Sequence, residues 1–261
     1  MAEIKENDCE TVRMQYQTAD KLSTRISIHS KYSVNKQGFG NWILSHYDIR
    51  PGTALLELGC GTGGMWTGNE EMIGRCARFV LSDLSEGMLD QAQRTLRGYE
   101  GIEYRAVDIQ DIPFEERTFD VVIANMMLYH VPDLSRGLRE VRRVLKEGGT
   151  FYCATYGENG IMEYIAGLFS DRGIRGQANH HFTLQNGEEK LKTVFSRVRC
   201  LRYEDALEVT DAEDMAEYIC SLAGMTELQN LPRDEIRSVL ERNMSDGILR
   251  VPKDYGMFIA Q

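Results

Sequence analysis

The strongest chemical signal in the chain is the run Glu57-Leu58-Gly59-Cys60-Gly61-Thr62-Gly63-Gly64. Glycines this closely spaced let the backbone turn sharply and approach a ligand, because no Cβ stands in the way. The spacing Gly59-x-Gly61-x-x-Gly64 fits a dinucleotide fingerprint, with Asp83 where the ribose-binding acid would fall, about 20 residues on. Glu57 argues for a different ligand: a carboxylate just before the loop would repel a pyrophosphate and attract a cation. Asp108, in Val107-Asp108-Ile109, and Asn125, at the head of Asn125-Met126-Met127-Leu128-Tyr129-His130-Val131-Pro132-Asp133, stand where two further apolar runs stop. His130 has two open readings, a general base or substrate orienter and a hydrogen-bonded histidine that holds its own turn. Cys60 reads as a small loop residue, since no histidine or basic neighbour would activate its thiol. Asp83 could also cap a helix, although Ser85 is the better cap. Asp108 could simply begin a turn. Met127 reads as core filling.

These residues fall at the ends of short apolar runs. Residues 54–58, 77–82, 102–107, 119–124 and 149–155 read as strands, the fourth with the near-continuous apolar character of a buried parallel strand. Segments 65–73, 85–97 and 134–146 read as the intervening helices. In the last, Leu134, Leu138, Val141 and Leu145 line one face, and Gly148 and Gly149 end it. Alternating strands and helices predict right-handed crossovers and a parallel sheet covered on both faces. Beyond Tyr156, residues 158–171, 211–223 and 233–243 read as helices, 172–189 as loop, and 197–208 and 255–260 as two late strands. The first 50 residues, with Tyr16, Tyr32, Phe39, Trp42 and Tyr47, read as a helical arm on the sheet or over its mouth.

The 261-residue chain carries 30 Lys plus Arg against 40 Asp plus Glu, a formal net charge of −10. With no basic run to offset it, that charge disfavours a nucleic-acid partner. No apolar stretch is long enough to span a membrane, and the polar start, residues 1–10, lacks the core of a signal peptide. The six cysteines (Cys9, Cys60, Cys76, Cys153, Cys200 and Cys220) form neither a zinc pattern nor a disulfide framework, so the expectation is a reduced cytoplasmic protein with no metal.

Taken together, the glycine loop, Asp83, Asp108-Ile109 and the segment 125–133 make residues 55–155 resemble the class I S-adenosylmethionine-dependent methyltransferases, in particular the methyltransferase type 11/UbiE-like small-molecule branch with a Leu-x-Gly-Cys-Gly-Thr-Gly loop. The stretch 25–42, with His29, Tyr32, Ser33, Asn35 and Gly38, is similar to an N-terminal segment of some bacterial members. The resemblance implies a single α/β domain, a Rossmann-like three-layer sandwich. Its sheet would be mostly parallel and seven-stranded with an antiparallel last strand. Residues 51–157 would be the cofactor-binding core, and an N-terminal helical arm (1–50) and the helical insertions of a C-terminal part (158–261), which also holds the last two strands, would form a cap. It also implies positions for S-adenosylmethionine. Glu57 would lie near the ammonium end, and Gly59, Cys60, Gly61 and Gly63 would shape the loop beneath it. Asp83 would accept from the ribose hydroxyls, with Leu84 and Met88 against the adenine. Asp108 would face the adenine amino group beside the Ile109 backbone. Asn125 and Met126 would lie under the sulfonium end, and Tyr32 would join the cofactor set. A cation, hydroxyls and a flat base suit strand-end carboxylates with apolar flanks.

His130 and Tyr129 are then the candidate catalytic groups, and Tyr16, His130, Tyr156 and His181 the candidate acceptor contacts, with S-adenosylhomocysteine as product. The expected activity is methyl transfer to a small molecule by a monomer or homodimer. A peptide or protein acceptor, a cofactor-binding regulatory module and, from the literal glycine spacing, a nicotinamide-dependent oxidoreductase stand as alternatives. Residues 125–128 depart from the Asn/Asp-Pro-Pro-aromatic pattern of nucleic-acid amino-group methyltransferases.

Overall fold

The computed structural model describes residues 27–174, 179–222, 228 and 231–261. Seven strands form one sheet in the order β3-β2-β1-β4-β5-β7-β6: β1 (Ala54–Leu58), β2 (Arg78–Asp83), β3 (Ile102–Ala106), β4 (Phe119–Ile123), β5 (Leu145–Tyr156), β6 (Val198–Val209) and β7 (Leu249–Ala260). β1 to β5 run parallel, and β7 is antiparallel to both neighbours. Neighbouring residues of the central strands, Leu55 and Leu56, are both 0% exposed, as expected for a parallel strand covered on both faces. Helices α1 (Phe39–Leu44) and α2 (Glu70–Gly74) supply core residues to the Leu55 face. Helix α3 (Glu86–Thr95) packs beside β2, and α4 (Leu134–Val144) buries Leu134, Leu138 and Val141 on the Leu56 face. The expected apolar stripe is therefore present.

Three expected boundaries move, each for a visible reason. Segment 65–73 is not one helix. A 3-10 turn (Gly64–Trp66) is separated from α2 by extended Thr67 and by Gly68 at φ +78°. Gly148 and Gly149 do not stop α4, which ends at Val144. They lie within β5, where the β4–β5 register shifts between Phe119 and Val121, and Gly148 at φ +73° absorbs the irregularity. A helix, α6 (Gly187–Lys192), starts inside the expected loop and follows α5 (Ile161–Leu168) in the chain.

The largest departure is β7, which begins at Leu249 rather than at 255. It pairs with β6 along twelve residues, from Val198↔Ala260 to Val209↔Leu249, but with β5 only as far as Tyr156↔Tyr255. The β6–β7 ribbon therefore overhangs the carboxyl edge of the sheet. Pro252 lies in the overhang, where one side of β7 has no β5 partner and a missing N–H costs no ladder bond there. Helices α7 (Ala212–Ser221) and α8 (Arg233–Arg242), α5 and the helical residues 27–32 bury Leu207, Leu249 and Val251 of this ribbon in a separate core. The Ser33–Leu207 bridge and the Val34 N–H to Ala206 carbonyl bond (2.9 Å) tie the N-terminal segment to its edge.

Candidate active site

The glycine loop leaves the carboxyl end of β1. Gly59 (φ +72°) and Gly61 (φ +56°) both adopt left-handed backbone, which glycine reaches at no steric cost. Their spaces differ. A Cβ on Gly59 would stand 2.9 Å from Met127 Cγ, whereas one on Gly61 would meet nothing within 4 Å, because Gly61 faces an open cleft. Asp83, ending β2, holds the loop in place. One carboxylate oxygen accepts from the Gly61 N–H and the other from the Ser85 N–H, each at 2.9 Å. Burial pushes the Asp83 carboxyl up, against these backbone bonds. Ser85 is the cap of α3, accepting from the Met88 N–H at 3.4 Å, so Asp83 is left for the loop and the cleft.

The cleft holds about 210 Å³. Gly59, Gly61, Asp83, Leu84, Met88, Asp108, Ile109 and His130 all line it, so it gathers residues from the ends of β1, β2, β3 and β4. Asp108 is both a turn residue and a cleft residue. Its Oδ1 accepts from the Gln110 N–H (2.8 Å), and its carboxylate also accepts from the Gln110 side-chain amide (3.1 and 3.2 Å). Gln110 in turn accepts from the Asp133 N–H (2.9 Å), and Asp133 caps α4 through the Arg136 N–H. This bracing residue carries no sequence signal beyond following Asp108-Ile109. Met127 packs against the core of the Leu56 face and, with Val107, Val131 and Pro132, also forms apolar wall of the cleft.

Several expected contacts lie elsewhere. Glu57 does not line the cleft. It is 3% exposed behind the loop, and its carboxylate accepts from Trp66 Nε1 at 2.6 Å. Burial raises its pKa to about 7, offset in part by Trp66 and reinforced by the negative charge of Asp83. Cys60 is turned away too, its thiol pushed up by burial, which fits an inert loop residue. Gly63 packs against α3 and the residue after it: a Cβ there would stand 3.2 Å from Ala92 Cβ and 3.1 Å from Leu96 Cδ1. Asn125 braces the carboxyl end of β4, donating to the Tyr47 hydroxyl (2.7 Å) and accepting from the Ala154 N–H (3.2 Å). Met126 follows at φ +53°, a strained backbone for a side-chain-bearing residue, fixed by its N–H bond to Ala154 (2.8 Å).

Tyr32 is not among the residues of the cleft. It lies under α7, where its hydroxyl and Lys31 both donate to Asp214. Burial and this carboxylate raise the Tyr32 phenol, and so it is a clasp for the N-terminal helix. Tyr129 is 7% exposed, its ring 4.5 Å from that of His130 and 4.6 Å from that of Tyr156. The Tyr156 hydroxyl donates to the Asn179 carbonyl at 2.7 Å. His181 lines a shallower cavity beyond Pro132, with Asp133, Leu138 and Lys190, and not the cleft. Tyr16 lies outside the described residues. Among the described residues, no group of three or more His, Cys, Asp or Glu could hold a metal ion, and no helix is long and apolar enough to cross a membrane.

The cleft meets the chemistry of S-adenosylmethionine. Gly61 leaves open space where a Cβ would intrude, two carboxylates at strand ends offer acceptors for hydroxyl and amino hydrogens, and Leu84, Met88 and Ile109 supply apolar surface for a flat base. Comparison with known proteins agrees. Residues 56–153 match the methyltransferase domain family Methyltransf_11. The chain is 30% identical over 127 residues to a demethylmenaquinone methyltransferase of Lysinibacillus sphaericus, covering 49% of this chain and 54% of that protein, about half its length. It is 29% identical over 210 residues to a demethylmenaquinone methyltransferase of Staphylococcus aureus, covering 75% and 86%. The [4+2]-cyclase SpnF superposes with a TM-score of 0.62 over 97% of this chain and 96% of that one, at 18% identity, a likeness of fold alone. Residues 56–153 thus match a methyltransferase domain, and this part of the chain is similar to the class I S-adenosylmethionine-dependent methyltransferases.

Proposed function

We propose that the protein transfers a methyl group from S-adenosylmethionine to a small-molecule acceptor. The observation that carries this is the cleft that joins the glycine loop, the carboxylates of Asp83 and Asp108, and His130. The family match and the relatives named for demethylmenaquinone support it. They also displace the nicotinamide reading of the glycine spacing.

When bound, the cofactor supplies an electrophilic methyl group on a positively charged sulfur. The residues of this chain do the rest. Asp83 accepts from the ribose hydroxyls through the lone pairs that Gly61 and Ser85 leave free. Asp108 accepts from the adenine amino group, and Leu84, Met88 and Ile109 exclude water from the ring. Glu57 places negative charge behind the loop, toward the cationic end. Asn125 and the strained Met126 fix the carboxyl end of β4. His130, on the cleft wall, would take the proton of an acceptor hydroxyl as that oxygen gains the methyl and the methyl–sulfur bond breaks, with the Tyr129 ring tilted against it as a positioning residue. Holding the two reactants in line in a water-poor site supplies much of the rate.

Asp83→Ala is expected to weaken S-adenosylhomocysteine binding about 30-fold, on the order of 2 kcal/mol, the scale of hydrogen bonds to a charged group. Titration calorimetry measures it, with a thermal melt as the control for folding. Unchanged affinity would remove Asp83 from the cofactor site.

A further inference from the structure

We propose that the cavity behind the cleft wall, between α4 and α6, binds the phosphate group of a soluble ligand and thereby tightens cofactor binding. The proposal rests on the methyltransferase reading above and adds a regulatory site beside that cleft.

The cavity holds about 260 Å³, many times the space a water needs. It is lined by Asp133, Ser135 and Leu138 at the start of α4, and by His181, Lys190 and Thr193 on and beside α6. Lys190 Nζ donates one N–H to the His181 carbonyl and keeps two to offer. Lys190 makes no ion pair among the described residues, whereas Lys192, on the same helix, is matched by Glu188 at 2.6 Å. Ser135 adds an exposed hydroxyl.

The surroundings are positive. Arg136 and Arg139 are exposed next to this end of α4, and Arg139 stands one turn beyond Ser135 on the same face. Neither has a carboxylate of its own, because Glu140 is held by Arg143 at 2.7 Å. The carboxylate of the cavity, Asp133, is engaged in capping α4, 2.9 Å from the Arg136 N–H. Three cations thus face one occupied carboxylate, in a chain whose net charge is −10. A lysine point charge with a hydroxyl and mobile guanidinium groups suits a phosphate, whose oxygens accept from several directions at once. Leu138 and Pro132 give apolar edge for the carbon of a phosphate ester.

Two links join this cavity to the cofactor cleft. Pro132 lines both, so segment 131–133 is the wall between them. On one side of it, the Asp133 N–H donates to Gln110, whose amide donates to Asp108 in the cleft. On the other, the His181 ring donates to the carbonyl of Val131, a cleft residue, while Lys190 holds the His181 carbonyl. A phosphate on Lys190 and Ser135 ties the first turn of α4 to α6 and fixes this wall. The cofactor then meets a wall already ordered, which is positive coupling between two sites.

The test is titration calorimetry of the full chain with S-adenosylhomocysteine, in sodium phosphate and in sodium chloride of equal ionic strength. Binding is expected to be about fivefold tighter in phosphate, the lower end of ordinary coupling between sites. Lys190→Gln keeps a donor for the His181 carbonyl and loses the charge. It should bind S-adenosylhomocysteine in chloride as the unsubstituted protein does, and lose the gain in phosphate; a thermal melt checks its folding. Glycerol 3-phosphate in place of phosphate distinguishes the source: a larger gain assigns a phosphate ester, an equal or smaller one free phosphate. Equal affinity in chloride and in both phosphate compounds overturns the proposal. So does a gain that survives in Lys190→Gln. In both cases S-adenosylhomocysteine still binds and the methyltransferase reading stands; failure of the unsubstituted protein to bind it in any of these buffers would remove that reading and this proposal with it.

Discussion

Lys253→Met lowers the unfolding free energy by about 3–5 kcal/mol, the cost of leaving a buried charge without its partner. The Lys253 and Asp205 side chains are 2% and 0% exposed, and they pair with each other. Burial alone would raise the Asp205 carboxyl. The Lys253 ammonium, the Asn35 N–H and the Ser33 hydroxyl more than offset this and hold it below the ordinary carboxylate value. Asp205 is thus charged, and removing Lys253 strands that charge beneath the N-terminal segment. The Lys253 ammonium also lies 5.7 Å and 5.1 Å from the ring centroids of Tyr203 and Tyr255, so its stem and head are both packed. The double variant Lys253→Met/Asp205→Leu is expected to recover most of the loss, since an apolar pair of similar size avoids the desolvation of both ions. Urea unfolding of the three proteins measures this. A single-variant loss below about 1 kcal/mol, the scale of an exposed pair, would contradict the account.

The second large effect is a pH dependence from Glu57. Its pKa is about 7 in the fold against about 4.3 for a free glutamate. A carboxyl raised on folding stabilises fully below its unfolded value, and that stability is lost as pH rises through the folded value. Without cofactor, the protein should therefore lose about 2–3 kcal/mol from this group between pH 5 and pH 8, because each tenfold change in a protonation equilibrium is worth roughly 1.4 kcal/mol. Glu57→Gln keeps the acceptor for Trp66 and cannot ionise. It should gain on the unsubstituted protein by that amount over the same interval, seen in chemical denaturation at the two pH values. Parallel curves for the two proteins would show that Glu57 is not the titrating group. The same argument gives Glu57 its use: a cationic ligand end nearby favours the ionised form that burial disfavours.

The parallel core was legible because buried strands must be apolar on both faces, and strands that end in Gly59, Asp83 and Asp108 must present those residues at one edge of the sheet. β1, β2, β4 and the second half of β5 follow from that rule; β3 lies at the sheet edge with Arg105 and Ala106 exposed, and the stripe of α4 follows from helical spacing instead. The overhang of β7 follows from neither. Pro252, Lys253 and Asp254 interrupt its apolar pattern, because half of this strand pairs with β6 alone and carries a buried ion pair beside the core residues Leu249 and Val251. The polar partnerships were hidden for a related reason. Trp66 with Glu57 spans nine residues, Lys253 with Asp205 spans 48, and Tyr47 with Asn125 spans 78. Sheet register and packing bring such pairs together, and local spacing carries no trace of them. Tyr32 lies outside the cleft on the same account: the helical residues 27–32 pack on α7, where its hydroxyl meets Asp214.

Methyl transfer to a small molecule is tested most directly with methyl-labelled S-adenosylmethionine, the pure protein and a cell extract divided by a size filter. The account predicts label in the small-molecule pool, above that seen with Asp83→Ala, and the labelled compound identifies the acceptor atom. Label confined to the macromolecular pool, or no transfer by protein that still binds S-adenosylhomocysteine, would contradict it.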